Sequence, residues 1–201
     1  MNLPSKFLDQ AVELFSSFPG IGKRTALRMV LNLLKREEHE LEQFGQAIAE
    51  LKLHVKSCTQ CGNISDNTVC EICMSSARNH RLVCVVEDIR DVMAFEATHA
   101  YSGIYHVLGG IISPMEGIGP NDLFINPLIE KCMNNEVDEV ILALSPTMEG
   151  DTTNFYLYKK LAASSVVIST LSRGIAVGTE IQYTDEMTLS RSLQHRIPFH
   201  S

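Results

Sequence analysis

No uninterrupted apolar run in this chain approaches the roughly 20 residues needed to cross a bilayer. The opening MNLPSKFLDQ also lacks the charged-then-apolar design of a secretory signal. A cytoplasmic location with no membrane partner is expected. Low-complexity tracts and internal repeats are missing too. With 12 Gly, 7 Pro and 45% hydrophobic side chains, the 201 residues read as an ordinary globular chain rather than a disordered one. No Gly-x-x-x-x-Gly-Lys-Ser/Thr phosphate loop occurs, so ATP hydrolysis is unsupported. None of Tyr101, Tyr105, Tyr156, Tyr158 and Tyr183 stands in a context that suits a covalent nucleophile.

Positive charge is scarce on average. Lys and Arg number 17 against 24 Asp and Glu, a net charge of -7, and this argues at first against a polyanionic partner. The average hides an asymmetry. From Leu14 to Arg36 the chain carries Lys23, Arg24, Arg28, Lys35 and Arg36 with no acid, whereas Cys61 to Ser201 carries 9 basic and 17 acidic side chains. A polyanion should therefore dock near the N-terminus.

Ser5 can cap a helix whose apolar residues Phe7, Leu8, Ala11, Val12, Leu14 and Phe15 recur at helical spacing up to Pro19-Gly20. A second helix is readable from Ala26, Leu27, Val30, Leu33 and Leu34. In a third, Leu41, Phe44, Ile48, Leu51 and Val55 form one narrow stripe, expected to pack on the first two or on another subunit. From Leu82 the pattern alternates: a β-prone run to Val86, a helix through Val92, Met93 and Phe95, a run from Glu139 to Leu144, and a loop from Ser145 to Thr153. A helix from Phe155 to Ala163 and a run from Val166 to Leu171 follow. Strands alternating with helices predict a mostly parallel sheet covered on both faces.

Six cysteines do not make a disulfide framework here, because four form two close pairs, Cys58 with Cys61 and Cys70 with Cys73. Two C-x-x-C turns separated by eight residues supply four thiolates to one tetrahedral Zn²⁺, and Gly62 lets the first turn close. Four protein ligands leave no position for water, so the metal is structural, one per chain. Cys84 and Cys132 read as buried core thiols, and His54 and His80 as bystanders.

In FPGIGKRTALRM, Gly20 and Gly22 allow close approach of a phosphate to the backbone. The amides at the start of the second helix point at it, Lys23, Arg24 and Arg28 add charge, and Thr25 adds a hydroxyl. None of these groups reads a base edge, so binding to duplex or gapped DNA should be independent of sequence. One hairpin neutralises few phosphates, which predicts an oligomer.

Glu87 closes a buried strand, Asp88 and Asp91 begin a helix, and Glu149 and Asp151 follow a later strand. Carboxylates meeting at strand C-terminal ends could hold Mg²⁺, and the arrangement looks like the Toprim domain of topoisomerases, primases and some nucleases. A Mg²⁺-dependent nuclease or primase is the alternative reading. Against it, the later pair is Glu-x-Asp where the catalytic enzymes have Asp-x-Asp. A further rival is a zinc-ribbon interaction module without a DNA role.

The order of FPGIGKRTALRM, CTQCGNISDNTVCEIC, YHVLGGIISPMEGIGP, SPTMEGDTT and RGIAVGTEIQYTDEMTLSRSL resembles the RecR family of bacterial recombination mediators over nearly the full chain. The resemblance implies an α+β multi-module fold. It comprises a helix-hairpin-helix DNA-binding region (1–56), a four-cysteine zinc finger (57–80), a Toprim domain (81–172), and a C-terminal strand and helix in a Walker-B-like oligomerisation segment (173–201). It further implies a non-catalytic, nucleoid-associated homotetramer that clamps DNA and works with RecO and RecF to load RecA in recombinational repair. Lys23, Arg24 and Arg28 would touch phosphate, Cys58, Cys61, Cys70 and Cys73 would hold zinc, and Glu87, Glu149 and Asp151 would help recruit RecO. Two positions depart from the family pattern: Asp151 where Glu is expected, and Ala176 where proline is.

Overall fold

A computed structural model describes residues 3–198 of the chain; the outermost parts of the expected terminal segments, residues 1–2 and 199–201, lie outside them. Two compact units result, Met1–Val55 and Lys56–Ser201.

The first unit holds three helices, α1 (Lys6–Ser16), α2 (Lys23–Leu33) and α3 (Glu38–His54). Ser5 caps α1, its hydroxyl accepting the Leu8 N–H at 3.4 Å. Helical spacing brings Val12 against Ala26 and Val30, all buried, with Leu8, Phe15, Ile21 and Leu27 packed around them. That small core is closed by α1, α2 and the hairpin themselves. The stripe expected on α3 therefore finds little to cover: no α3 residue is buried, and Ile48 and Leu51 stay more than half exposed.

The second unit opens with a short antiparallel pair, β1 (Lys56–Ser57) and β2 (Ile64–Ser65), and a single helical turn, α4 (Glu71–Met74). A four-stranded sheet follows, built from β3 (Asn79–Val86), β4 (Gly103–Val107), β5 (Glu139–Leu142) and β6 (Val167–Thr170) in the order β4-β3-β5-β6. Every pairing is parallel. Alternate side chains of β3 explain why its sequence is continuously apolar. Val83 and Val85 enter one core with Leu128, Cys132, Leu157 and Leu161, whereas Cys84 and Val86 enter a second with Val92, Tyr105 and Val107. The first face is covered by α6 (Asn126–Met133) and α7 (Met148–Leu161), the second by α5 (Ile89–Glu96).

Two elements went unforeseen and two expectations need correction. Strand β4 was not legible, because the short run GIYHV opens on a glycine and carries a histidine, although all five residues are buried, and helix α6 was not foreseen either. Helix α7 starts at Met148 rather than Phe155, since the Thr147 hydroxyl accepts the Gly150 N–H at 3.1 Å and caps it there. Glu149 and Asp151 thus sit in its first turn, not in a loop. Finally, among the described residues no strand follows β6: the glycine-bearing stretch after Arg173 leaves the open edge of β6 unpaired, and the C-terminal segment forms only a 3-10 turn and α8 (Glu186–Gln194).

Candidate nucleic-acid interface and metal centre

The hairpin between α1 and α2 depends on Gly20, whose φ of +77° is costly for any residue with a Cβ. Gly22 precedes α2 in an extended conformation and offers no capping side chain. Ala26 N–H bonds to Gly22 C=O at 3.0 Å, whereas the N–H groups of Lys23, Arg24 and Thr25 find no acceptor among the described residues. Such open donors at a helix N-terminus, backed by its dipole, favour an anion. No acid lies in the first turn of α2. Gly20, Gly22, Lys23, Arg24 and Arg28 are exposed and Thr25 is half-buried, so all six residues expected at phosphate surround one hairpin.

The cysteine cluster is more tightly made. The ligand atoms of Cys58, Cys61, Cys70 and Cys73 lie within 4.8 Å of one another, and all four residues are buried. Cys61 Sγ and Cys70 Sγ are 3.6 Å apart. A tetrahedron of Zn–S bonds requires sulfurs about 3.8 Å apart, so the cage fits zinc. Backbone amides support it: Cys70 N–H donates to Cys58 Sγ at 3.3 Å, and Cys73 N–H to Cys70 Sγ at 3.5 Å. Crowded thiols compete for protons. Contact with Cys73 and burial push Cys61 up, while burial also acts to raise Cys58 but nearby backbone N–H groups bring it down to about 7. A bound dication favours all four thiolates and takes up that repulsion. Neither His54 nor His80 joins the group; the His80 ring bonds the Ser75 carbonyl instead.

Gly62 does more than close a turn. At φ +76° it passes so close to the Val107 carbonyl that an added Cβ would collide with it, and Val107 N–H donates to Cys61 C=O at 2.7 Å. Ile72 of α4 packs on the cysteines and on both cores. The knuckle and the sheet are therefore one packed body.

The carboxylates behave differently from expectation. Asp88 caps α5, and Asp91 accepts from the N–H groups of Glu87 and Asp88 at 3.1 and 3.3 Å. Burial, together with Asp91 and Asp88, raises Glu87 above the usual carboxylate range. Asp151 is paired with Arg173 at 2.5 and 3.3 Å, and that guanidinium holds it below the usual range. Among the described residues the only group of three or more His, Cys, Asp and Glu side chains close enough to share a metal is the four cysteines. Glu87, Glu149 and Asp151 are thus not gathered into one cage; capping engages Asp88 and Asp91, and an ion pair engages Asp151.

Sequence comparison accounts for every one of these parts. Residues 8–52 match the RecR helix-hairpin-helix, 55–75 the RecR four-cysteine zinc finger domain, 81–172 the Toprim domain and 174–197 the RecR C-terminal family. A protein named recombination protein RecR from Flavobacterium johnsoniae is 57% identical over 199 residues, spanning 99% of this chain and 97% of its own length. The chain belongs to the RecR family. Namesakes from Bacteroides fragilis, 54% identical over 98% of this chain and 96% of theirs, and Porphyromonas gingivalis, 51% identical over 98% and 95%, agree. The cysteine cage thereby reads as the structural zinc site of a RecR zinc finger. One feature that sequence reasoning missed is Arg173, the partner of Asp151. Its distance of 22 residues along the chain gave no local signal, since β6 and the irregular segment after it bring the two together.

Proposed function

We propose that this RecR-family chain is a non-catalytic mediator of recombinational DNA repair that grips the sugar-phosphate backbone through its N-terminal hairpin. The observation that carries this reading is the coincidence, at the start of α2, of three amides without acceptors, exposed Lys23, Arg24 and Arg28, and no acid. Gly20 and Gly22 admit the phosphate, and Thr25 adds a donor. Duplex and gapped DNA are bound alike, since base edges are not read. Four modules, 1–56, 57–80, 81–172 and 173–201, divide the work. The exposed stripe on α3 and the C-terminal segment join copies into a tetramer that multiplies a weak individual grip.

In this reading the clamp acts in the cytoplasm, at the nucleoid. RecO-like and RecF-like proteins dock on the Toprim face around Glu87, Glu149 and Asp151, and the assembly promotes RecA loading. Magnesium-dependent cleavage or priming is the less favoured reading, because Arg173 already occupies Asp151.

Gel-shift titration at two salt concentrations tests the proposal. Replacing Lys23, Arg24 and Arg28 together by alanine should weaken binding and flatten its logarithmic salt dependence by roughly 0.9 for each phosphate no longer neutralised. Unchanged duplex binding by that variant would overturn it.

A further inference from the structure

A single turn of the knuckle, residues 58–62, meets three parts of the Toprim domain. Val107 N–H, at the end of β4, donates to Cys61 C=O, and Lys131 Nζ of α6 donates to Gln60 C=O at 3.1 Å. The third part is Phe124: a Cβ on Gly62 would come within 3.0 Å of its ring. That ring is also stacked on buried His106, whose Nε2–H donates to the Phe124 carbonyl, and Phe124 N–H donates to Leu108 C=O at 2.9 Å. Phe124 thus closes the neck of the loop 109–123, which joins β4 to α6. Beyond the neck the loop reaches the acidic end of the sheet. Ile112 N–H donates to the Thr153 hydroxyl at 2.9 Å, which donates to Glu149 C=O at 2.8 Å. Ser113 and Ile118 exchange backbone bonds of 3.0 and 2.9 Å around a 3-10 turn that carries Glu116. Glu87, raised chiefly by burial, also feels the charge of Glu116, so the loop spans from one acid to the other.

We infer that Phe124 is a positioning residue through which the zinc-loaded knuckle sets loop 109–123 across the acidic end of the sheet. Of the three contacts, only this one belongs to the loop itself. Val107 is held as well by its pairing with Val86 of β3, and the Lys131 bond is exposed and made by the tip of a long side chain. Close-packed interiors transmit small shifts, because a flat ring in contact with several neighbours cannot move without opening a gap. With metal bound, Cys58 and Cys61 fix the turn that carries Gly62. Once the metal leaves, that restraint is gone, and Phe124 with the neck of the loop loses its support. The use of such a link to the cell rests on the docking reading of that face, whereas the link itself does not.

Amide hydrogen exchange on the full-length protein in dilute solution tests it, read at Ile112 and Phe124 with the amides of β5 as internal reference. Chelation should speed Ile112 and Phe124 about ten-fold or more and leave β5 within about two-fold. In Phe124→Ala, with its zinc retained by metal analysis, Ile112 should already exchange about ten-fold faster than in the parent, and chelation should add less than about two-fold. Phe124→Leu, which keeps bulk without the flat ring, gives the same reading should the alanine variant fail to fold. Phe124→Tyr keeps the ring and should restore the parent's response. Three results would each overturn the inference. Equal quickening of β5 on chelation would make the effect of zinc global, and an Ile112 amide unmoved by chelation would deny the link. An undiminished response in both ring-deleting variants would route it through Val107 or Lys131. Failure of partner docking would leave these rates untouched, so the two readings fail separately.

Discussion

At Cys58 the chemistry of one side chain governs a whole module. Buried cages of four thiolates derive their folding energy from the metal, on the order of 10 kcal/mol in small zinc domains. Metal analysis should therefore find one zinc per chain in the parent protein and none in Cys58→Ser, which should also melt far below the parent. His106 is a second single-residue lever. It is buried, stacked on Phe124 at 5.4 Å, and its Nε2 lies 2.5 Å from the Phe124 carbonyl. Burial lowers its pKa from 6.5 to about 4. Between those values an unfolded chain takes up a proton that the folded chain refuses. Stability is thus complete above the ordinary value and declines as pH falls toward the depressed one, by about 3 kcal/mol. Urea midpoints at pH 7.5 and 5 should show a smaller loss in His106→Gln than in the parent; equal losses would show that His106 is not the source of the acid sensitivity.

Among the elements, those with clean periodicity or with caps in plain view were legible: α1 from Ser5, α2 from its apolar spacing, β3, β5 and β6 from their apolar runs. The cysteine cage was equally open, since its spacing alone dictates a tetrahedron. What escaped depends on tertiary context. Strand β4 is recognisable only once both faces of the sheet are covered, and the true start of α7 rests on Thr147 and on a side chain deep in the fold. That side chain is Thr153, whose hydroxyl accepts the Ile112 N–H at 2.9 Å and donates to Glu149 C=O at 2.8 Å. It ties the first turn of α7 to the loop after β4. Thr153→Val keeps the shape but strands a buried amide, so it should cost about 1–3 kcal/mol in denaturant unfolding. Hydrogen exchange should quicken at Ile112 first.

For the molecule as a whole, the separation of charge matters more than its sum. A net charge of -7 disfavours contact with a polyanion everywhere except the basic hairpin. A lone hairpin contacts too few phosphates to hold DNA at physiological salt. Light scattering should accordingly give a mass several times 22.4 kDa, and dissociation to single chains by substitutions on Ile48 and Leu51 should weaken DNA binding far more than those side chains could by direct contact. A monomeric parent protein that binds DNA tightly would refute this coupling.

The bond from Val107 to the Cys61 carbonyl has an outcome for handling the protein. Strand β4 ends the sheet, and the metal knuckle sits across its outer margin. Stripped of metal, the knuckle loosens and leaves raw strand margin facing solvent, a template onto which other chains can add. Chelator treatment should then produce clumping before it produces loss of helix, so zinc here also works as insulation against self-adhesion.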